Sequence, residues 1–211
     1  LIGFRSDFAA RTEIRAVVGD SKVTIQNREV IRDGVANGGH WSTQEVDNQS
    51  GRGVAIQELR DGELNHVAEE HYAPLLNGLP ATFLSDQNGV RQDTVPDKIA
   101  GNKSELNIGN DTRVHVNLAC MQCHAGQVLQ PIGDDVRATY TGRLGLLSND
   151  KNVQLELSRQ YGGSLNRYLV QDRILYQSVF TTVTGLKPQD AATVYSNAFN
   201  RYAYGRVTLG D

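Results

Sequence analysis

Cys120-Met121-Gln122-Cys123-His124 governs how the rest of this 211-residue chain is read. The pattern is C-x-x-C-H, the attachment pattern of a c-type haem. On one helical turn Cys120, Cys123 and His124 stand at i, i+3 and i+4 and project to one side. Two thiols so placed can form thioethers with the haem vinyl groups, and the imidazole can reach the iron as proximal ligand. Two other chemistries use the same residues. A structural zinc site normally needs four ligands, and the chain has only two cysteines. A thioredoxin-like redox pair would follow a strand, for which Val114-His115-Val116-Asn117-Leu118-Ala119 is a candidate. Cysteine arithmetic favours haem, because the thioethers use both cysteines.

Working outward, the length fits one domain, or one domain with a helical appendage. Apolar content is 39%, mean hydropathy is -0.42 and the formal net charge is -3. No apolar run approaches the ~18 residues that span a bilayer. The charge gives neither a basic footprint for nucleic acid nor a polybasic patch for a membrane. The chain begins at Leu1 without methionine, n-region or h-region, and the expectation is a processed or partial chain. Covalent haem attachment usually takes place outside the cytoplasm, so a periplasmic or extracellular address is expected.

Before the motif, residues 21–31 (SKVTIQNREVI) alternate partly and read as a strand or short helix. A hairpin is expected from Leu79–Leu84 and Val90–Val95 around Asp86-Gln87-Asn88-Gly89, with Pro96 ending it. Lys98–Asp111 reads as a loop into the motif. After it, Asp134–Tyr140 is a candidate helix. The tail is more periodic. Lys151–Tyr161 reads as a helix closed by Gly162-Gly163. Leu165–Val183 has a 3.6-residue apolar period closed by Gly185, and a third helix starts near Pro188 with Val194, Tyr195, Phe199 and Tyr202 on one side.

These residues together resemble the monohaem c-type cytochrome domains of large secreted bacterial proteins of planctomycete type. The likeness is carried by Glu70, Asn77-Gly78-Leu79, Asp86, Gly89, Arg91, Asp93, Pro96 and Ile99. Leu118, Cys120-Met121, Cys123-His124 and Gly126 follow in order. Asn27-Arg28, Trp41 and Ser50-Gly51-Arg52 match upstream. The match covers about residues 25 to 140 and the helical tail only loosely. Leu76 and Ala73 depart from the pattern, where the family often has proline and an aromatic residue. The resemblance implies a haem carrier and supplies no substrate.

The sixth iron ligand is the open question. Met121, the sole methionine, sits inside the attachment loop and cannot reach the distal face. His115 precedes Cys120 by five residues and is expected at the proximal side or rim. His66 is the first choice, supported by a family position four residues before Glu70, with His71 and then His40 behind it. His66 and His71, at i and i+5, lie roughly 140° apart in a helix and on opposite sides of a regular strand, so one iron takes only one of them. The expected fold is α+β: a mainly helical, cytochrome c-like haem core over residues 1–145 with an inserted β-hairpin, and a helical C-terminal extension over 146–211 packed on it. The expected function is one-electron transfer by a single His/His-ligated haem c, with Cys120, Cys123, His124 and His66 as cofactor residues. The partner would be a redox protein or a larger electron-transfer complex, and the chain reads as an electron carrier more than an enzyme. The alternatives are an open-site haem protein, either gas sensor or peroxidase, and a structural haem-bearing subunit. A peroxidase would need a distal acid–base group, for which His66 with Glu70 is the candidate.

Overall fold

The structure is a computed structural model and describes residues 14–18, 28–35, 37–46, 66–95, 115–116, 120, 124, 129–132 and 149–204. Short runs rich in Val, Ile, Tyr and Thr, punctuated by Gly and Asn, build strands here. They are Ile14–Val18 (β1), Arg28–Val35 (β2), Gly38–Val46 (β3), His66–Pro74 (β4), Pro80–Asp86 (β5) and Arg91–Gln92 (β6). All pair antiparallel with their chain neighbours, in the order β1-β2-β3-β4-β5-β6. This meander overturns the expected mainly helical, cytochrome c-like core. The expected hairpin exists, but as the last two strands of the sheet and not as an insertion. Cys123, residues 134–140 and the loop over 98–111 lie outside the described residues, as do the side chains of Phe199 and Tyr202.

The register defines two faces. Ile14, Arg32, Trp41, Tyr72 and Thr82 pair across five strands and share one face. Arg15, Ile31, Ser42, His71 and Phe83 pair across the same strands on the other. The long helix of the chain packs on the first face. Lys151–Tyr161 (α1), Leu165–Thr184 (α2) and Ala191–Tyr204 (α3) follow the sheet, with a 3-10 turn at Pro188–Asp190 before α3. Asp150 caps α1 by accepting from the Asn152 amide at 2.8 Å. Gly185 ends α2 in the left-handed conformation, φ 71°. Leu165 and Leu169 of α2 bury with Ile14, Ala16, Val30 and Trp41 in one apolar core. Tyr176, Phe180 and Ala191 form a second, against Tyr72 and Leu79.

One polar clamp locks α2 to this face. Asp172 accepts from Arg32 Nε at 2.8 Å and Nη2 at 3.0 Å, and from Trp41 Nε1 at 2.7 Å. The guanidinium also stacks over the Tyr168 ring, 4.6 Å from its centroid. Gly39 makes the approach possible: a Cβ there would lie 2.3 Å from Asp172 Oδ2 and 2.7 Å from Arg32 Nε. Further along α2, Val179 closes on Gly78 in the β4–β5 turn, where φ is 78°. At the β1 side, Tyr161 at the end of α1 donates to Glu29, which also takes Arg15 at 3.0 Å. No helix among the described residues is long and apolar enough to cross a membrane.

Candidate functional site

Described residues on either side of the C-x-x-C-H stretch are tied to the sheet and its cores. Upstream, Val116 N donates to Asp93 O at 3.2 Å, and His115 bridges Thr94. Downstream, Leu129 packs against both apolar cores and Ile132 against the first. The Ile132 amide and carbonyl are both held by the Asn166 side chain of α2, at 2.9 and 2.8 Å. Between these tethers Cys120 and His124 have helical backbone and are half-buried.

Cys120 is half-buried beside β4. Its Sγ lies 3.5 Å from Glu70 Oε1. Glu70 stands on β4 opposite Thr43 and Leu84, on the face that carries α2. The residue types present fit a covalently held haem: the Cys120 thiol, the His124 imidazole four residues on and, in sequence, the second cysteine between them. Tyr72, two residues along β4, has its phenol pKa raised by burial first and then by Tyr176, Asp172 and Tyr195. It therefore stays neutral on this side of the sheet.

The histidines expected near the iron are elsewhere. His40 and His71 lie on the opposite face, stacked ring to ring at 5.5 Å, and His71 stacks on Phe83 at 4.3 Å. This is a ladder of parallel rings across β3, β4 and β5. His66 joins them for a reason the strand argument missed. Glu45 pairs with Ala68, but Val46 pairs with His66, so β4 carries one extra residue at its start. That β-bulge turns His66 to the His71 side. Glu69 then bridges both imidazoles, Oε1 to His66 Nε2 at 3.0 Å and Oε2 to His71 Nε2 at 3.2 Å.

The expectation that His66 and His71 face apart is therefore corrected. His66 itself, the first choice for sixth ligand, lies across β4, an inner strand, from Cys120. The same placement separates His66 from Glu70, the pair considered for peroxidase chemistry.

The imidazole face is polar and well packed. His71 Nδ1 meets His40 Nε2 at 3.4 Å, His71 Nε2 meets Ser85 Oγ at 3.4 Å, and Gln44 Nε2 donates to Glu69 at 2.6 Å. The hydrogen bond from His71 holds the Glu69 carboxyl below the ordinary range, and burial opposes this. Among the described residues, no group of three or more His, Cys, Asp and Glu side chains is arranged to hold a metal ion. Two functional contacts escaped the sequence reading. Glu70 was visible as a resemblance position and as a candidate partner of His66, not of Cys120; its place on the Tyr72 side of β4 is a parity signal. Asp172, inside a helical apolar pattern, gave the weaker signal of one acidic residue on a buried stripe. No protein-family model, curated protein or solved structure matches the chain.

Proposed function

We propose that this chain is a monohaem c-type domain working in one-electron transfer, with haem attached through Cys120 and Cys123 and His124 as proximal ligand. The observation that carries the reading is the Cys120 thiol of the C-x-x-C-H stretch, 3.5 Å from Glu70 on the sheet, with Leu129 and Ile132 just downstream packed into the apolar cores. Haem supplies the one-electron iron couple. The residues around it hold the motif still: Leu129 and Ile132 anchor it in the apolar cores, and Glu70 meets the sulfur. A fixed attachment segment keeps reorganisation small when an electron arrives. The partner would be a redox protein or a larger electron-transfer complex, and the address periplasmic or extracellular, where covalent attachment is usually made.

A second reading is favoured by one observation. His40, His66 and His71 all lie across the sheet from Cys120, which supports an open sixth position. An open position would bind a gas or peroxide. Visible and EPR spectra of the chain matured with haem, before and after CO, separate the readings. A low-spin spectrum indifferent to CO supports electron transfer with two strong ligands. A high-spin spectrum with prompt CO binding moves the assignment to gas or peroxide chemistry. Absence of a Soret band after maturation refutes the haem assignment itself.

A further inference from the structure

The contact between Cys120 and Glu70 carries an inference that rests on the haem reading and deepens it. A cysteine pair spaced C-x-x-C has two fates in an oxidising compartment. In one, each sulfur adds to a haem vinyl group: the S–C bond forms at one vinyl carbon and the thiol hydrogen goes to the other. No net electrons are gained or lost. In the other, Cys120 and Cys123 join as a disulfide, losing two protons and two electrons to a disulfide oxidant, and attachment is blocked. Thiol–disulfide exchange runs through the thiolate, so the thiolate fraction of the attacking sulfur sets that rate.

Glu70 bears on that fraction. Its Oε1 lies 3.5 Å from Cys120 Sγ, within reach of an S–H donor. A carboxylate there favours the thiol, which donates to it, over a thiolate, which it repels. On this face its cross-strand neighbours, Thr43 and Leu84, carry no charge. The nearest charged groups on the adjoining strands are Glu45 and Asp86, both opposite Ala68, and Glu45 has Arg28 at 3.4 Å. From α2 the acidic group is Asp172, already clamped by Arg32 and Trp41. The other described titratable group of the motif is His124, four residues from Cys120 in sequence. We propose that Glu70 is a positioning residue for haem attachment, docking Cys120 on the sheet as a protonated thiol and so guarding the pair against premature disulfide formation.

The test uses the full chain before haem loading, with Cys123→Ser isolating one thiol, and follows alkylation of Cys120 by iodoacetamide across pH. Removing the charge with Glu70→Gln should move the rate–pH profile down by about one pH unit, the low end for a single charge beside a half-buried group. At neutral pH the thiolate fraction rises about tenfold. The lower nucleophilicity of a more acidic thiolate offsets part of this, leaving roughly a threefold faster reaction. Glu70→Asp, which keeps the charge, should stay closer to the parent profile than Glu70→Gln does. Coincident parent and Glu70→Gln profiles overturn the proposal, as does a parent chain that alkylates like a free peptide of the same five residues. In otherwise unsubstituted chains, oxidised glutathione should close the Cys120–Cys123 disulfide faster in Glu70→Gln than in the parent. These readouts need no haem. A Glu70-dependent profile with no Soret band after maturation would sink the haem reading and leave the thiol–carboxylate couple standing.

Discussion

Replacing Asp172 with alanine should destabilise the protein by about 3 kcal/mol, and the clamp geometry gives the reasons. Three hydrogen bonds to one carboxylate disappear: two from Arg32, at 2.8 and 3.0 Å, and one from Trp41, at 2.7 Å. Hydrogen bonds to charged groups contribute roughly 1.5 to 3 kcal/mol each, so the low end gives about 4.5 kcal/mol. Solvent entering the vacated space, with the ring contacts retained by the guanidinium, should return about 1 to 2 kcal/mol. The low end is the right choice only because both partners are shielded: the Arg32 and Asp172 side chains are 11% and 9% exposed. Urea unfolding followed by far-ultraviolet circular dichroism measures the loss. The emission of Trp41, the sole tryptophan, reports the clamp directly. The thermal midpoint should fall by roughly 6 to 12 °C. A double variant, Arg32→Met with Asp172→Leu, should recover more than half of the loss, because no buried charge is stranded. A loss below about 1 kcal/mol for Asp172→Ala would refute the argument that this clamp, together with the leucines, holds α2 on the sheet.

Glu69 gives a pH-dependent outcome. Its folded carboxyl titrates below the ordinary range, so its stabilising contribution is complete above that range and is lost as pH falls through the lowered value. Glu69→Gln should therefore flatten the acid limb of the stability–pH curve and lower stability at neutral pH; superimposed curves would show that the bridge to His66 and His71 does not contribute. Gly78→Ala meets two obstacles, a φ of 78° and a Val179 methyl 2.8 Å from the new Cβ. It should cost about 1 to 3 kcal/mol in urea unfolding. Adding Val179→Ala should relieve the contact but not the backbone strain, and full recovery would contradict that division.

The helical tail was legible because its physics is local. Lys151–Tyr161 keeps the expected bounds, and Leu165–Thr184 extends the expected helix by one residue before Gly185. The hairpin turn was legible for the same reason: Gly89 takes φ 75°, and Asp86 Oδ1 accepts from the amides of Asn88 and Val90. The first four strands were hidden because both faces carry polar groups. On β3, His40, Ser42 and Gln44 alternate with Trp41, Thr43 and Glu45, so the apolar period of two never emerges. Buried Glu29, Asp33 and His40 look like surface residues until their cross-strand partners are known. The bulge in β4 was also invisible, since one extra residue leaves no mark in composition, yet it decides which side His66 faces. The C-x-x-C-H spacing stands out in the sequence alone. Its seat on a sheet does not, because that depends on contacts with residues far along the chain.

The strictly sequential order of the meander has a kinetic consequence. Every strand pairs with its immediate predecessor, so each step of sheet growth closes one loop of at most nineteen residues. The contacts that fasten α2 are of another kind: Arg32 and Asp172 stand 140 positions apart, and Trp41 and Asp172 stand 131 apart. Folding should therefore divide in time, with rapid zippering of strands as they emerge from the ribosome and a later docking step that waits for the C-terminal third. During that interval Ile14, Val30 and Trp41 face water, and the unfinished sheet is the species most exposed to aggregation and proteolysis.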